Sequence, residues 1–197
     1  ASSRPLGTEK EFSEYSNSLF ISLEKVINKH AGGRSDVVLV CGGFGKKDSG
    51  MYAHKVAVQM LAEKYSSINF TLNCCNIDGG FPDELIDEKE KRGNLEIKTY
   101  SSKAFNAREL ATISGEVVIN GRPGFGTLQE LIRVINGKHL HARVGEIHGF
   151  PSDHKQPEAI YILNEGSQSQ LDLKRLLDSM EKDGTIDALD KYPVCVI

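Results

Sequence analysis

Gly121-Arg122-Pro123-Gly124-Phe125-Gly126-Thr127-Leu128-Gln129-Glu130 joins a short apolar run, Glu116-Val117-Val118-Ile119-Asn120, to a segment in which Leu128, Leu131, Ile132 and Ile135 recur at helical spacing. The spacing predicts a strand, a glycine-rich turn and a helix that stops at Gly137. Glycines at such a turn let the backbone approach a ligand closely, and the N–H groups at the start of the helix favour an anion such as phosphate. Gly124, Gly126 and Thr127 are therefore candidate phosphate-binding residues, Thr127 either capping the helix or bonding the anion. Glu130 falls about one turn into the helix. A carboxylate beside a phosphate site calls for a cationic or catalytic reason.

The same unit recurs upstream. Asp36-Val37-Val38-Leu39-Val40-Cys41 is a continuous apolar run of the kind expected for a strand buried on both faces of a parallel sheet. It leads into Gly42-Gly43-Phe44-Gly45 and then a helical pattern from Met51 to Lys64, so Gly42 and Gly43 are further candidates for substrate contact. Ile68 to Leu72 reads as a second strand, Asn73 to Pro82 as a polar loop, Asp83 to Lys91 as a short helix, and Leu95 to Tyr100 as an alternating strand. Ser101 and Ser102 are candidate caps for a helix that carries Arg108. Near the end, Ala159 to Leu163 and Val194 to Ile197 read as strands around a helical face of Leu173, Leu176, Leu177 and Met180, with a turn at Asp183-Gly184-Thr185-Ile186. Strands alternating with helices predict a three-layer α/β, Rossmann-like fold with a mostly parallel central sheet and helices on both faces. Ligands of such sheets bind at the carboxyl ends of the strands, where the glycine turns fall. Before this domain, residues 35–197, an amphipathic helix from Thr8 to about His30 and the turn Ala31-Gly32-Gly33 form an N-terminal element, residues 1–34, packed on the main body.

Composition narrows the partners. The 197 residues, 39% hydrophobic and 26% charged, describe an ordinary globular domain with one substantial core. A net charge of -3 with scattered Lys and Arg gives no footprint for nucleic acid or an anionic membrane. No apolar run approaches the roughly 20 residues of a membrane span and the start lacks the apolar core of a signal peptide, so a cytoplasmic location is expected. The four cysteines read as reduced, buried thiols; the adjacent Cys74-Cys75 lacks the spacing of a zinc site, and a redox role for that pair is the sharper alternative. From Lys138 to Pro157 the sequence reads as a polar connection containing His139, His141, His148 and His154, in which no Cys or Glu completes a ligand spacing, so no metal is expected.

Pro123-Gly124-Phe125-Gly126-Thr127-Leu128-Gln129-Glu130 resembles the signature of the cytokinin-activating phosphoribohydrolases, the "Lonely guy" family often labelled lysine decarboxylases, whose usual form is Pro-Gly-Gly-x-Gly-Thr-x-x-Glu. Aligned without a gap, Gly124 takes the place of the second family glycine, Pro123 replaces the first, and Arg122 stands where the family has proline. Arg108, in Phe105-Asn106-Ala107-Arg108-Glu109-Leu110, matches a family arginine on the helix before that strand, although an ion pair with Glu109 or Glu116 is its plainer reading. The resemblance covers roughly Ser35 to Ile197 and is weakest in the histidine-rich stretch and from Cys74 to Lys91, where only Gly79-Gly80 remain of a glycine-rich loop.

The resemblance implies a homodimer and a hydrolase that cleaves the N-glycosidic bond of a nucleoside 5′-monophosphate, releasing free base and ribose 5-phosphate without a cofactor. Glu130 would then stabilise the oxocarbenium-like sugar and orient water, and Arg108 would bind phosphate or ribose and keep Glu130 ionised. The alternative is a non-catalytic sensor for a nucleotide-derived ligand. Lysine decarboxylation would need pyridoxal phosphate on a lysine with its supporting groups, and no stretch offers them.

Overall fold

A computed structural model of the chain describes residues 6–42, 47, 49–77, 90–102, 112–113, 115–121, 125–144, 157–163, 168–186 and 194–197. It divides into two compact units, Ser2–Thr112 and Ile113–Ile197. Both are mixed α/β with mostly parallel strands. Among the described residues no helix is long and apolar enough to cross a membrane.

The first unit begins with α1 (Glu9–His30), started by a reciprocal cap in which Thr8 Oγ1 accepts from Glu11 N–H and the Glu11 carboxylate accepts from Thr8 N–H. Of the stripe whose spacing predicts this helix, Phe12, Tyr15, Leu19, Leu23, Val26 and Ile27, all are buried except Phe12, which is half-buried. At about 1.5–3 kcal/mol for each fully buried large apolar side chain, that stripe outweighs any intrinsic helix preference. It packs on α2 (Gly50–Lys64), which in turn lies against the sheet.

The sheet of this unit contains β1 (Asp36–Cys41), β2 (Asn69–Ile77), β3 (Glu90–Arg92) and β4 (Leu95–Ser102), in the order β1-β2-β4-β3. β1, β2 and β4 are parallel, and β3 runs antiparallel to β4. The register aligns Leu39, Leu72 and Ile97 on one face, and Phe70, Leu72, Cys74, Leu95 and Ile97 are all buried there.

Three expectations change in this unit. β1 is not buried on both faces: it lies at one end of its sheet, and Val38 and Val40 are 62% and 38% exposed on the face away from Leu39. β2 runs on through Asn73, Cys74, Cys75 and Asn76, residues whose polarity reads as a loop, because pairing with β4 satisfies their backbone as far as Ile77. Glu90 and Lys91 lie in β3 rather than in a helix. The link from Arg92 to Leu95 is a tight hairpin through Gly93, whose φ of +57° is the left-handed conformation that such a turn requires. The rest of the segment expected to be that helix lies outside the described residues. Ser101 and Ser102 end β4.

The second unit is built from β5 (Val117–Asn120), α3 (Phe125–Val144), β6 (Ala159–Ile162), α4 (Gln168–Lys182) and β7 (Val194–Val196). Its three strands are all parallel, in the order β5-β6-β7. Every residue of β6 is buried, as expected for the middle strand of a parallel sheet. Two helix ends differ in kind. α4 closes at Gly184 (φ +69°), where Thr185 N–H bonds Met180 C=O at 2.8 Å and Gly184 N–H bonds Glu181 C=O at 3.0 Å, the paired bonds of a glycine-terminated helix. α3, by contrast, does not stop at Gly137 but continues to Val144. Gly137 is buried within it, and a glycine inside a helix costs only about 1 kcal/mol relative to alanine, which burial of neighbours such as Leu131 and Val134 exceeds. His139 and His141 therefore belong to a helix and not to a loop. His148 and His154 lie outside the described residues.

Candidate functional site

β5 and α3 are the strand and the helix predicted on either side of the glycine stretch, of which residues 122–124 lie outside the described residues. Asn120 closes the strand and is 7% exposed; its backbone carbonyl accepts from Leu163 N–H at 2.9 Å, which ties β5 to the end of β6. Its side chain then reaches forward, Nδ2 donating to the Thr127 carbonyl at 3.3 Å in a buried hydrogen bond. The strand end and the first turn of α3 are thus tied across the glycine turn by one amide. This residue is missed in the sequence reading, where it passes as the last letter of a strand. A polar side chain that closes an apolar run is the signal that finds it.

α3 begins at Phe125, so Gly126 and Thr127 are its second and third residues. Thr127 is accordingly not the cap that its residue type suggests; it sits inside the first turn with 5% exposure. The first turn is the part of any helix whose N–H groups lie outside the intrahelical ladder and carry the positive end of the dipole. Gly126 and Glu130 are four residues apart and share a face, Glu130 lying roughly 6 Å further along the axis. Glu130 is half-buried. Arg133, also half-buried, follows it by three residues on the same side of the helix and is a second cation-bearing candidate that the sequence reading passes over.

The sides of α3 have different tasks. Thr127, Leu131 and Val134 are buried in the core, Leu131 completely. Leu128, Ile132 and Ile135 instead line an apolar groove of about 630 Å³ whose other wall is Leu173, Leu176 and Met180 of α4. At 100° per residue this stripe lies opposite Gly126, Glu130 and Arg133. The groove is therefore a separate feature from the glycine turn, and its lining offers little to an anion.

Of the remaining sequence candidates, Gly42 directly follows β1 in the first unit and is half-buried. Gly43, Arg108, Arg122 and Gly124 lie outside the described residues. Within the second unit the structure brings Gly126, Thr127 and Glu130 together on the first two turns of one helix. No protein-family model matches the chain, and no curated protein and no solved structure matches it.

Proposed function

We propose that the chain is a hydrolase that cleaves the N-glycosidic bond of a nucleoside 5′-monophosphate. The observation that carries this reading is the carboxylate of Glu130, one turn behind Gly126 on the same face of α3. In this reading the 5′-phosphate binds the first turn of α3 at Gly126 and Thr127, together with Gly124 just before it in the sequence, and the glycosidic carbon comes within reach of Glu130. As the bond to the base stretches, positive charge spreads over the sugar ring oxygen and the anomeric carbon, and the carboxylate stabilises it. Water then adds its oxygen to the anomeric carbon; one of its protons passes by way of Glu130, and the departing base nitrogen acquires one. The products are free base and ribose 5-phosphate, with no redox change and no cofactor. The resemblance gives Arg108 the role of holding phosphate or ribose hydroxyls, a task suited to a planar guanidinium.

The finer architecture belongs to the same proposal: a three-layer, Rossmann-like arrangement with helices on both faces of a mostly parallel sheet. Its support is the parallel pairing of β1 with β2 and of β5 with β6 and β7. So do a cytoplasmic homodimer and the lack of nucleic-acid and membrane partners. Ile132 and Leu176, 52% and 55% exposed, are the apolar surface that a subunit contact would cover.

The test is incubation of the purified protein with a panel of nucleoside 5′-monophosphates, including modified adenine and pyrimidine bases, followed by chromatography for free base. Release that is lost in Glu130→Gln and Arg108→Ala supports the hydrolase. A Glu130→Gln protein as fast as the parent removes Glu130 from the mechanism. Tight binding of one nucleotide without release from any transfers the site to the sensor reading.

A further inference from the structure

The in-register pairing of β1 with β2 sets Cys41 beside Cys74, residues 33 positions apart in sequence. The Cys41 thiol donates to Cys74 Sγ at 3.4 Å, and both are reduced. Cys74 is completely buried, on the face of β2 that also carries Phe70 and Leu72. Cys41 is the last residue of β1 and only half-buried, so of the two residues it is the one nearer to solvent. Cys75 follows Cys74 on the strand and therefore points to the opposite face. The sequence alone draws attention to the adjacent Cys74-Cys75, which this alternation separates.

We propose that Cys41 and Cys74 form a peroxide-oxidisable thiol pair that closes into a reversible cross-strand disulfide. The chemistry balances with hydrogen peroxide as the oxidant. The Cys41 sulfur attacks one peroxide oxygen, becoming a sulfenic acid while one molecule of water leaves. Cys74 sulfur then attacks Cys41 sulfur, and the hydroxyl departs with the Cys74 proton as a second water. Two thiols lose two electrons and two protons, and one peroxide becomes two waters.

Geometry favours the second step. The sulfurs need to approach by little more than 1 Å to reach a bond length of about 2.05 Å. Paired positions in a sheet are roughly 4.8 Å apart, within the span of Cα separations that disulfides bridge. The movement falls at the last residue of β1, a strand at the end of its sheet. Burial, and next the hydrogen bond with Cys41, push the Cys74 thiol well above the ordinary cysteine range. That assigns first attack to Cys41 and the resolving role to Cys74. The bond would tie the carboxyl end of β1, immediately before Gly42, to β2.

The test uses the whole folded protein. It is exposed to hydrogen peroxide at neutral pH, quenched with a maleimide, digested and mapped by mass spectrometry, with fragmentation to assign the bonded sulfurs. The expected result is loss of two of the four thiols, a cross-linked peptide joining Cys41 to Cys74, and full recovery of both thiols with dithiothreitol. Cys75→Ser should bridge like the parent, whereas Cys41→Ser and Cys74→Ser should not bridge. The parent map decides alone should a variant fail to fold. The proposal is overturned if all four thiols survive, if Cys41 proceeds to sulfinic acid without a bridge, or if the bond joins other cysteines. It is also overturned if urea-unfolded protein forms the Cys41–Cys74 bond as selectively as folded protein, since register would then play no part.

Discussion

Replacing Asn120 tests the buried amide that ties β5 to α3. Asn120→Ala removes the 3.3 Å bond to the Thr127 carbonyl. That carbonyl keeps its helical donor four residues on, so the loss is near the ordinary net worth of a hydrogen bond, about 1–2 kcal/mol including the small void. Asn120→Asp preserves the shape but turns the donor into a buried acceptor facing another acceptor, so the introduced carboxyl is held protonated. Its folded-state pKa lies above the unfolded value of about 3.9. The sign follows: its contribution is intact below the unfolded pKa and is lost as pH rises through the folded pKa. The ionisation penalty at pH 7 is capped near 4 kcal/mol, because at about 1.4 kcal/mol per pH unit above 3.9 the neutral acid then becomes the cheaper state. At pH 5 the same cap is about 1.5 kcal/mol. Urea unfolding followed by circular dichroism, with Asn120→Ala as the reference at each pH, should show Asn120→Asp to be the weaker variant at pH 7. Its deficit should shrink by roughly 2–3 kcal/mol at pH 5. Equal stability of the two variants at pH 7, or a deficit indifferent to pH, would refute a donor role for Asn120.

Leu131 is fully buried in α3 and Ile132 is 52% exposed, so Leu131→Ala should cost about 2–5 kcal/mol in urea unfolding and Ile132→Ala under about 1. Thr8→Ala removes the cap of α1 and should cost about 1 kcal/mol, with the loss of amide protection in hydrogen exchange concentrated in the first turn. Lys55, hydrogen-bonded to Glu90 at 2.7 Å, holds that carboxyl below the usual glutamate range against the opposing effect of burial, with Arg92 adding to it. A lowered folded pKa contributes stability above the unfolded value and loses it as pH falls through the folded one. The advantage of the parent over Glu90→Gln should thus be full at pH 7 and fade on acidification below the ordinary glutamate range. Glu130→Gln should abolish any release of base from nucleotides in protein that is still folded by circular dichroism.

Helical periodicity was the most legible part of the sequence, because a buried stripe repeats. Tyr15, Leu19, Leu23, Val26 and Ile27 repeat at helical spacing, and Thr8 with Glu11 announces where their helix begins. The strand before Gly121 and the helix that carries Leu128, Leu131 and Ile135 were legible from their apolar spacing. What escaped depends on partners far along the chain. Asn73 and Asn76 read as loop residues until β4 supplies their backbone partners. Gly137 reads as a stop until tertiary packing overrides its local preference. Arg92-Gly93-Asn94-Leu95 did carry a local hairpin signal, but the charged run before it masked the short strand. At the site, Glu130 was legible from its spacing to Gly126, whereas the Asn120 tie depends on a side-chain direction that no spacing encodes.

The two units face different entropic problems in folding. In the first, β3 and β4 meet across a two-residue turn, and that contact can form with almost no loop to close. In the second, Val117 must find Ala159 and Ile160 must find Val194, each pairing spanning a whole helix, with no hairpin among the described residues. Parallel pairing of this kind defers its reward until long segments are ordered, which slows folding. Refolding from urea should accordingly show two phases, with hydrogen-exchange protection reaching Leu95 and Ile97 before it reaches Ile160 and Ile162. During that interval β6, apolar along its whole length, is exposed to pairing with the wrong chain.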